Sequence, residues 1–382
     1  MRVVMFYHSL ISDWNHGNAH FLRGIASELI ERGHSVTVYE PEGGWSLTHL
    51  IAEGGAGAVD ALFAAYPLLK QASALYPPAA PALEAMLDGA DLVIVHEWND
   101  PALVKRIGAL RKRGRFRLLF HDTHHRIVTA PDQLAAVDLS GFDGVLAYGA
   151  VIRDLYLKRG WAAQAWTWHE AADTRAFRPL SVARKGGAPL DVVWVGNWGD
   201  DERTAELGDF LLAPLAALKL RAAVYGVRYP QAALDALANA GITYGGWVAN
   251  YRVPALFHRA RVTLHIPRRP YTQALPGIPT IRPFEALACG IPLICAPWDD
   301  AEGLFTPGVD YLVAPDGAAM TRLLRDVLHD SALAASLSAH GLAAIRARHT
   351  CAHRVDQLLT ICEALGVRDT HPLREREKES IP

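Results

Sequence analysis

Short apolar runs alternate with segments of helical periodicity along almost the whole chain, and this alternation constrains the fold more than any other feature. VVMFY at 3–7 precedes Asn18–Arg32, where apolar residues recur at the helical period, and SVTVYE follows at 35–40. Strands that alternate with helices form a parallel, doubly wound sheet. A mostly helical region then extends to about Leu87. Four more strands are predicted in the first half of the chain, at 91–97, 115–122, 143–149 and 163–169.

A break in composition at 178–190, RPLSVARKGGAPL, predicts a linker, because Pro, Gly and basic residues occur there without periodicity. The alternation then restarts, with a helix predicted near 202–218. Strands are predicted at 191–197, 221–226, 241–247, 261–267 and 291–296. We therefore predict an α/β protein of two doubly wound, Rossmann-like domains facing across a cleft. The predicted boundaries are 1–178, 191–348, a C-terminal helix at 349–366 and a charged tail, expected to be disordered, at 367–382.

The composition favours a soluble protein that does not bind nucleic acid. Apolar residues make up 51% of the chain and charged residues 20%, and the formal net charge is −2. A nearly neutral chain has no field to attract nucleic acid or an anionic membrane surface. We also expect a cytoplasmic protein with reduced cysteines, no signal peptide and no integral membrane segment.

The stretch PGIPTIRPFEALACGIPLICAP, at 276–297, carries one acid, Glu285, on a short and mostly apolar helix. Thr280 is a residue typical of an N-cap, and Gly290 is a common helix terminator. Two interpretations of Glu285 stay open. It is either a solvated acid in the first turn, favoured by the helix dipole, or part of a ligand site at the helix N-terminus.

The loop HSLISDWNHGNAHFLRG, at 8–24, follows the first strand and lacks the G-x-G-x-x-G fingerprint, so dinucleotide binding is weakly supported. His16, Gly17 and Asn18 stand where a helix begins: Gly17 permits close approach to a ligand and Asn18 is suited to capping. Asp13 and His20 add titratable groups. The alternative is a polar loop whose histidines only bond the backbone.

Two further strand-end segments of the first half are rich in histidine and acids, HEWND (96–100) and HDTHHR (121–126). A metal site would need more ligands than the spacing supports, so we predict no metal and expect a polar wall that binds an acceptor. Glu97 and Asp122 are either functional acids or structural loop caps.

The second half opens with VVWVGNWGDDERTAEL, whose strand ends at Gly196 and Asn197. Backbone N–H groups there and the Arg203 guanidinium suit an anion. Arg282, at the start of the Glu285 helix, is expected to approach the same place. YGVRYP, which begins at Tyr225, is where we expect a nucleobase.

Taken together, SDWNHGNAHFLRG, VGNWGDDERTAEL and above all IRPFEALACGIPLICAPWDDAEGLFTPGVDYLVA resemble the GT-B-fold glycosyltransferases, most closely the CgeB-like branch. The resemblance implies an acceptor domain at 1–178 and a nucleotide-sugar domain at 191–348. It also implies transfer from a nucleoside diphosphate sugar, most often a UDP-sugar, without a metal or another cofactor. The acceptor stays open among a glycan, a lipid-linked sugar, a protein and a small molecule.

The resemblance also suggests roles for single residues. Related retaining enzymes have two glutamates in this region. Glu285 takes the place of the second, which contacts the ribose, whereas Gly277 stands where the first lies near the donor sugar. If the reaction inverts, His16 is the expected base; if it retains, which we favour, His121 resembles a histidine near the donor sugar. The candidate catalytic residues are His16, His121 and Asp13. The candidate donor-binding residues are Gly17, Asn18, Gly196, Asn197, Arg203, Tyr225, Thr280, Arg282 and Glu285.

Two other functions compete with glycosyl transfer. A GT-B-fold sugar-nucleotide epimerase would use acids such as Glu97 and Asp122 around the sugar. A protein that binds a nucleotide sugar without turning it over would also fit Gly277. A dehydrogenase is less favoured because the dinucleotide fingerprint is missing.

Overall fold

A computed structural model of the protein describes residues 1–181, 189–199 and 201–367. The chain divides into two compact units, neither of which is one continuous stretch. Unit 1 comprises Met1–Ser12, Leu22–His169 and the segment that begins at Ala352, and unit 2 comprises Asp13–Phe21 and Glu170–Cys351. The continuous boundaries given by the sequence stay a prediction. Positions 182–188 of the predicted linker and 368–382 of the predicted tail lie outside the described residues.

Unit 1 is built on a parallel sheet of seven described strands, in the order β3-β2-β1-β4-β5-β6-β7. The strands are β1 (Arg2–Phe6), β2 (Ser35–Pro41), β3 (Ser73–Tyr76), β4 (Leu92–His96), β5 (Arg117–Asp122), β6 (Gly144–Ala147) and β7 (Ala165–Thr167). Helices α1 to α9 are Ala19–Glu31, Trp45–Gly54, Ala58–Ala65, Leu69–Ala72, Leu83–Leu87, Pro101–Arg111, Arg126–Thr129, Pro131–Ala135 and Ala150–Lys158. Phe6 pairs in register with Tyr39 on one side and Val95 on the other, so β1 is central and buried.

The sequence pattern missed strand β3, which lies within the region predicted to be mostly helical. Its four residues form the edge of the sheet and pair only with β2 among the described strands. Four residues are too few to show a strand period, and the surrounding alanines favour a helix. Pairing with β2 overrides that local preference.

Unit 2 holds a second parallel sheet of six described strands, in the order β10-β9-β8-β11-β12-β13. They are β8 (Leu190–Val195), β9 (Ala222–Tyr225), β10 (Thr243–Tyr244), β11 (Ala260–His265), β12 (Leu293–Cys295) and β13 (Leu312–Val313). Helices α10 to α17 are Thr204–Leu207, Ala213–Leu218, Gln231–Asn239, Val253–Arg259, Arg269–Gln273, Ile281–Ala288, Gly317–His329 and Ser331–Arg348. The last helix, α18 (Cys351–Ala364), closes the described chain. Two parallel-sheet α/β units confirm the predicted fold class.

The helix predicted near 202–218 is interrupted. A π-helical turn, Gly208–Leu212, separates α10 from α11, and the Ala213 N–H bonds to the Gly208 carbonyl five residues back. Pro214 has no N–H to give to an i−4 carbonyl, and a wider turn accommodates that loss.

Helix α15, Ile281–Ala288, carries Glu285 and corrects one predicted cap. Gly290 has φ 65°, which confirms it as the terminating glycine. Thr280 has φ 60° and, in the part of the chain that is described, makes no side-chain capping hydrogen bond. Thr280 therefore precedes α15 at the N-cap position but does not cap it through its side chain, so the prediction that it caps the helix is wrong.

An apolar cluster in unit 2 packs helices against one face of the sheet. Val192, Trp194, Val262 and Leu264 are buried there with Met320 of α16. Within the described ranges, we find no helix with the length and apolar character needed to cross a membrane.

Candidate functional site

The carboxyl ends of three adjacent strands, β8, β11 and β12, bring three loops of unit 2 together. Arg203 Nη1 donates to the Ile266 carbonyl at 2.7 Å, which joins the loop after β8 to the loop after β11. Gly277 N donates to the Asp299 carbonyl at 2.7 Å, which joins the loop after β11 to the loop after β12. Ligands of doubly wound sheets bind at this edge.

Arg203 is half-buried among backbone carbonyls and an aromatic ring. It also donates to the Asn197 carbonyl, and its guanidinium carbon lies 5.1 Å from the centre of the Trp194 ring. Among the described residues, no carboxylate lies within ion-pair distance of it. Burial, and then the charge of Arg268, lower the pKa of Arg203 to about 9. A desolvated cation with carbonyl partners attracts an anion strongly.

Arg268 lies beside Arg203 and was not identified from the sequence. A Cβ at Gly199, whose φ is 95°, would lie 3.2 Å from Arg203 Nε and 3.6 Å from Arg268 Nε. Glycine therefore lets both guanidinium groups approach the backbone at one point. Arg268 also pairs with Glu202 at 3.0 Å. The only sequence signal was a pair of arginines just after β11.

Asn197 forms hydrogen bonds that join loops, and Tyr225 packs closely against a neighbouring strand end. Asn197 Oδ1 accepts from the Val227 N–H at 3.0 Å, and its Nδ2 donates to Asn15 Oδ1 at 2.7 Å. The Tyr225 ring packs so closely that a Cβ at Gly245 would lie 2.1 Å from it. These residues shape the predicted nucleotide region from the strand side.

Gly196 is closely surrounded by neighbouring groups, which leave no room for a side chain. A Cβ at position 196 would lie 2.8 Å from the Trp194 ring, and a Cβ at Gly226 would lie 2.1 Å from the Gly196 carbonyl oxygen. Two strand ends therefore approach each other closely at this point.

Glu285 is fully buried, so the interpretation as a solvated first-turn acid is wrong. Its Oε1 accepts a hydrogen bond from Asn250 Nδ2 at 2.6 Å, and its Oε2 bonds with Arg282. Burial raises the pKa of Glu285, and Arg282 and Asn250 oppose that rise. Arg282, predicted to face the diphosphate, is paired with this carboxylate in the structure.

His20 also faces Glu285, and the tautomer of its ring follows from its hydrogen-bond partner. The Asp173 N–H donates to His20 Nε2 at 2.7 Å, which makes Nε2 an acceptor and leaves the hydrogen of a neutral ring on Nδ1. That Nδ1 lies 3.6 Å from Glu285 Oε1. From the sequence, His20 was a titratable group of the 8–24 loop without a predicted role.

Segment 13–21 belongs to unit 2 and places three predicted residues near α15. Asp13 Oδ2 accepts from the Asn250 N–H at 3.0 Å, and a Cβ at Gly17 would lie 3.2 Å from Ile281. Burial lowers the pKa of His16 to about 4, although Asp13 acts to raise it. Asn18 directly precedes α1. Asp13, His16 and Gly17 are thus brought into the unit that carries Arg203 and Glu285.

Glu170 is a second buried acid near Glu285 that the sequence did not reveal. Burial, and then the charge of Glu285, raise the pKa of Glu170 to about 8, and Arg282 opposes the rise. Glu170 is therefore protonated at neutral pH, which limits the negative charge around Arg282.

His121 lies in unit 1 and is 1% exposed. Its Nδ1 is 2.6 Å from the Tyr7 hydroxyl oxygen, and burial lowers the pKa of His121 to about 3. His121 belongs to a different unit from Arg203 and Glu285, and its catalytic role stays a prediction.

Glu97 and Asp122, also in unit 1, act as buried loop caps. Glu97 accepts from the Thr123 N–H at 2.8 Å and from Arg126 Nε at 2.9 Å. Asp122 Oδ2 accepts from the Tyr156 hydroxyl at 2.8 Å. Of the two interpretations of these acids, functional groups or structural loop caps, the hydrogen bonds therefore favour loop caps. Across the described ranges, no group of three or more His, Cys, Asp or Glu residues is arranged to hold a metal ion.

Comparison with protein families assigns the domain that contains most of these residues. Residues 203–360 match the family model described as glycosyl transferase-like. The chain carries a glycosyl transferase-like domain. This domain includes Arg203, Arg268, Arg282 and Glu285, and the glycosyltransferase prediction is confirmed at this level. The narrower CgeB-like assignment stays a prediction. A search of curated proteins found no match.

Solved structures extend the likeness over nearly the whole chain. Sucrose-phosphate synthase from Thermosynechococcus elongatus is 17% identical with a TM-score of 0.67, covering 96% of this chain and 100% of that one. HepE of Anabaena in complex with UDP-glucose is 15% identical with a TM-score of 0.66, covering 95% and 100%. An α-glucosyltransferase in complex with UDP and a 13-mer DNA is 10% identical with a TM-score of 0.64, covering 95% and 99%. At such identities the likeness shows the fold, which confirms the predicted GT-B architecture.

Proposed function

We propose that this protein transfers a sugar from a nucleoside diphosphate sugar, with UDP as the nucleotide, to an acceptor. The observation that carries the proposal is the half-buried Arg203 guanidinium, which lies beside Arg268 and has carbonyl rather than carboxylate partners. Two of the similar structures hold UDP or UDP-glucose, which supports UDP as the nucleotide.

Arg203 and Arg268 are suited to the charge that develops on the leaving diphosphate. Two guanidinium groups at fixed positions stabilise phosphate oxygens through charge-assisted hydrogen bonds, and burial strengthens that effect. Because the site supplies this positive charge from its own side chains, we propose that transfer does not need a metal ion.

Glu285 is proposed to contact the ribose. A carboxylate offers about four lone-pair positions, and Asn250 and Arg282 use two of them. The two ribose hydroxyls are hydrogen-bond donors that suit the two remaining lone-pair positions of the carboxylate. Since Glu285 is fully buried, this contact requires neighbouring side chains to move when the nucleotide binds.

Retention of the anomeric configuration is the stereochemistry that we propose. An inverting reaction needs a base that deprotonates the acceptor, and an efficient base has a pKa near the working pH. With a pKa of about 4, His16 holds a proton weakly at neutral pH. His16 and Asp13 then serve to position the donor rather than to accept a proton.

A product assay without an acceptor tests the proposal against its rivals. UDP-glucose, UDP-galactose and UDP-N-acetylglucosamine are each incubated with the protein, and released UDP, free sugar and epimerised donor are quantified. We expect slow hydrolysis of at least one donor and no epimer, with the Arg203→Met variant as the inactive control. Formation of an epimer would favour the epimerase, and binding without hydrolysis would favour the non-catalytic alternative.

A further inference from the structure

Glu302 occupies a space that a side chain at position 277 would otherwise take. Gly277 has φ 85°, and a Cβ built there would lie 2.8 Å from Glu302 Cγ and 2.8 Å from its Oε1. Both the backbone conformation and the available room therefore require glycine at this position. The missing side chain lets the Glu302 carboxylate lie directly against the backbone of the loop after β11.

Neighbouring residues hold Glu302 in place. Gly277 N donates to the Asp299 carbonyl at 2.7 Å, and the Asp300 carboxylate accepts from the Leu304 N–H at 2.9 Å and from the Phe305 N–H at 2.8 Å. Asp300 therefore caps the turn that carries Glu302. The Asp300 carboxylate thus makes these two bonds at the turn that brings Glu302 against Gly277.

The position of Glu302 relates it to the proposed donor site. It follows β12, whose neighbour in the sheet is β11, and the loop after β11 begins with Arg268 and leads through Gly277 to Arg282. A half-buried carboxylate thus lies at the same sheet edge as the guanidinium groups proposed to bind the diphosphate. A diphosphate binds to cations, whereas a carboxylate at the same edge of the sheet suits a ligand group that donates hydrogen bonds.

We propose that Glu302 is a specificity-determining residue that accepts hydrogen bonds from hydroxyl groups of the donor sugar. The inference rests on the proposed function, since it assumes a nucleotide sugar on the Arg203 side of this edge. An ionised carboxylate only accepts hydrogen bonds, and sugar hydroxyls are its natural donors. Glu302 then contacts the sugar while the nucleotide is bound by other residues.

Calorimetric titration of the full-length protein with UDP and with the three UDP-sugars named above tests this assignment. For Glu302→Gln we expect affinity for at least one UDP-sugar to fall about tenfold, since a hydrogen bond to a charged group is lost. Affinity for UDP itself should change less than about twofold. Gly277→Ala should show the same selective loss, because the added Cβ displaces the carboxylate.

Glu206→Gln is the matched control. Glu206 is an acid of the same unit that pairs with Arg269 at 2.9 Å, and removing its charge should leave every affinity unchanged. Thermal unfolding of each variant confirms that it is folded. Suppose that UDP binds to the wild type, and that Glu302→Gln either weakens UDP and the UDP-sugars equally or weakens none of them. Glu302 then does not contact the sugar, and the proposed function is unaffected. If the wild type binds neither UDP nor any UDP-sugar, the proposed function fails, and this inference fails with it.

Discussion

Asn250 donates a hydrogen bond from its Nδ2 to Glu285 Oε1 at 2.6 Å, and both side chains are buried. The Asn250 N–H also donates to Asp13 at 3.0 Å. Asn250 therefore connects α15 to segment 13–21 through two carboxylates. A buried carboxylate is costly unless it is paired and hydrogen-bonded. The partners of Glu285 therefore explain how this mostly apolar helix tolerates a buried acid.

Replacing Glu285 by glutamine should destabilise the protein. The amide nitrogen is a donor and would face Asn250 Nδ2 or Arg282, which are donors themselves. We expect a loss of about 1–3 kcal/mol in the free energy of unfolding, because a buried group loses its partner. Urea denaturation measures it, with Glu206→Gln as a control that should change by less than about 0.5 kcal/mol. An unchanged midpoint for Glu285→Gln would show that the network carries little energy.

The Arg203→Met variant should lose affinity for the diphosphate itself. Its guanidinium is half-buried next to Arg268, so removing it takes away a charge that solvent screens only in part. We expect UDP and inorganic pyrophosphate to bind at least about tenfold more weakly, the size of a charge-assisted hydrogen bond. Arg269→Met is the control, since Arg269 is 41% exposed and paired with Glu206. A loss for UDP but not for pyrophosphate would place Arg203 away from the phosphates.

Glu170 should make stability depend on pH. Its folded pKa of about 8 lies above the ordinary value of 4.5, so the folded state holds this proton more tightly than the unfolded state does. The resulting stability is fully present below about pH 4.5 and is lost as pH rises through about 8. Glu170→Gln should keep that stability and melt a few degrees higher than the wild type at pH 8, since each pKa unit is worth about 1.4 kcal/mol. Parallel melting curves from pH 5 to 8.5 would contradict the assignment.

His16 should stay neutral throughout the physiological pH range. Its pKa of about 4 reflects burial, and Asp13 acts to raise it. Nitrogen-detected NMR of the imidazole should therefore show no titration of His16 between pH 6 and 8. Asp13→Asn should lower the midpoint further, because the nearby negative charge is removed. A midpoint near 6.5 in the wild type would restore His16 as an efficient base for an inverting reaction.

The sequence predicted those parts of the fold and site that local patterns specify. Alternating apolar runs identified the parallel sheets, and Gly290 marked the end of α15. Arg203 was correctly expected at a strand end because it follows a buried run and two glycines. Strand β3 was missed because four residues at a sheet edge show no period and gain their structure from pairing with β2.

The remaining site residues depend on contacts between distant parts of the chain. Asn250 meets Glu285 across 35 residues and Asp13 across 237, and no local pattern predicts such pairs. Glu302 is adjacent to Gly277 only because β11 and β12 are neighbours in the sheet. The burial of Glu285 follows from the same long-range packing. Because the local sequence does not show that packing, it could not distinguish a buried acid from a solvated one.

Binding of UDP to the wild-type protein, measured by calorimetry with and without EDTA, tests whether the Arg203 site holds a nucleotide and whether it does so without a metal ion. We expect UDP to bind with the same dissociation constant in both conditions, because Arg203 and Arg268 supply the positive charge. Failure of UDP to bind at millimolar concentration would contradict the proposed nucleotide site, and loss of binding in EDTA alone would contradict its independence of metal ions.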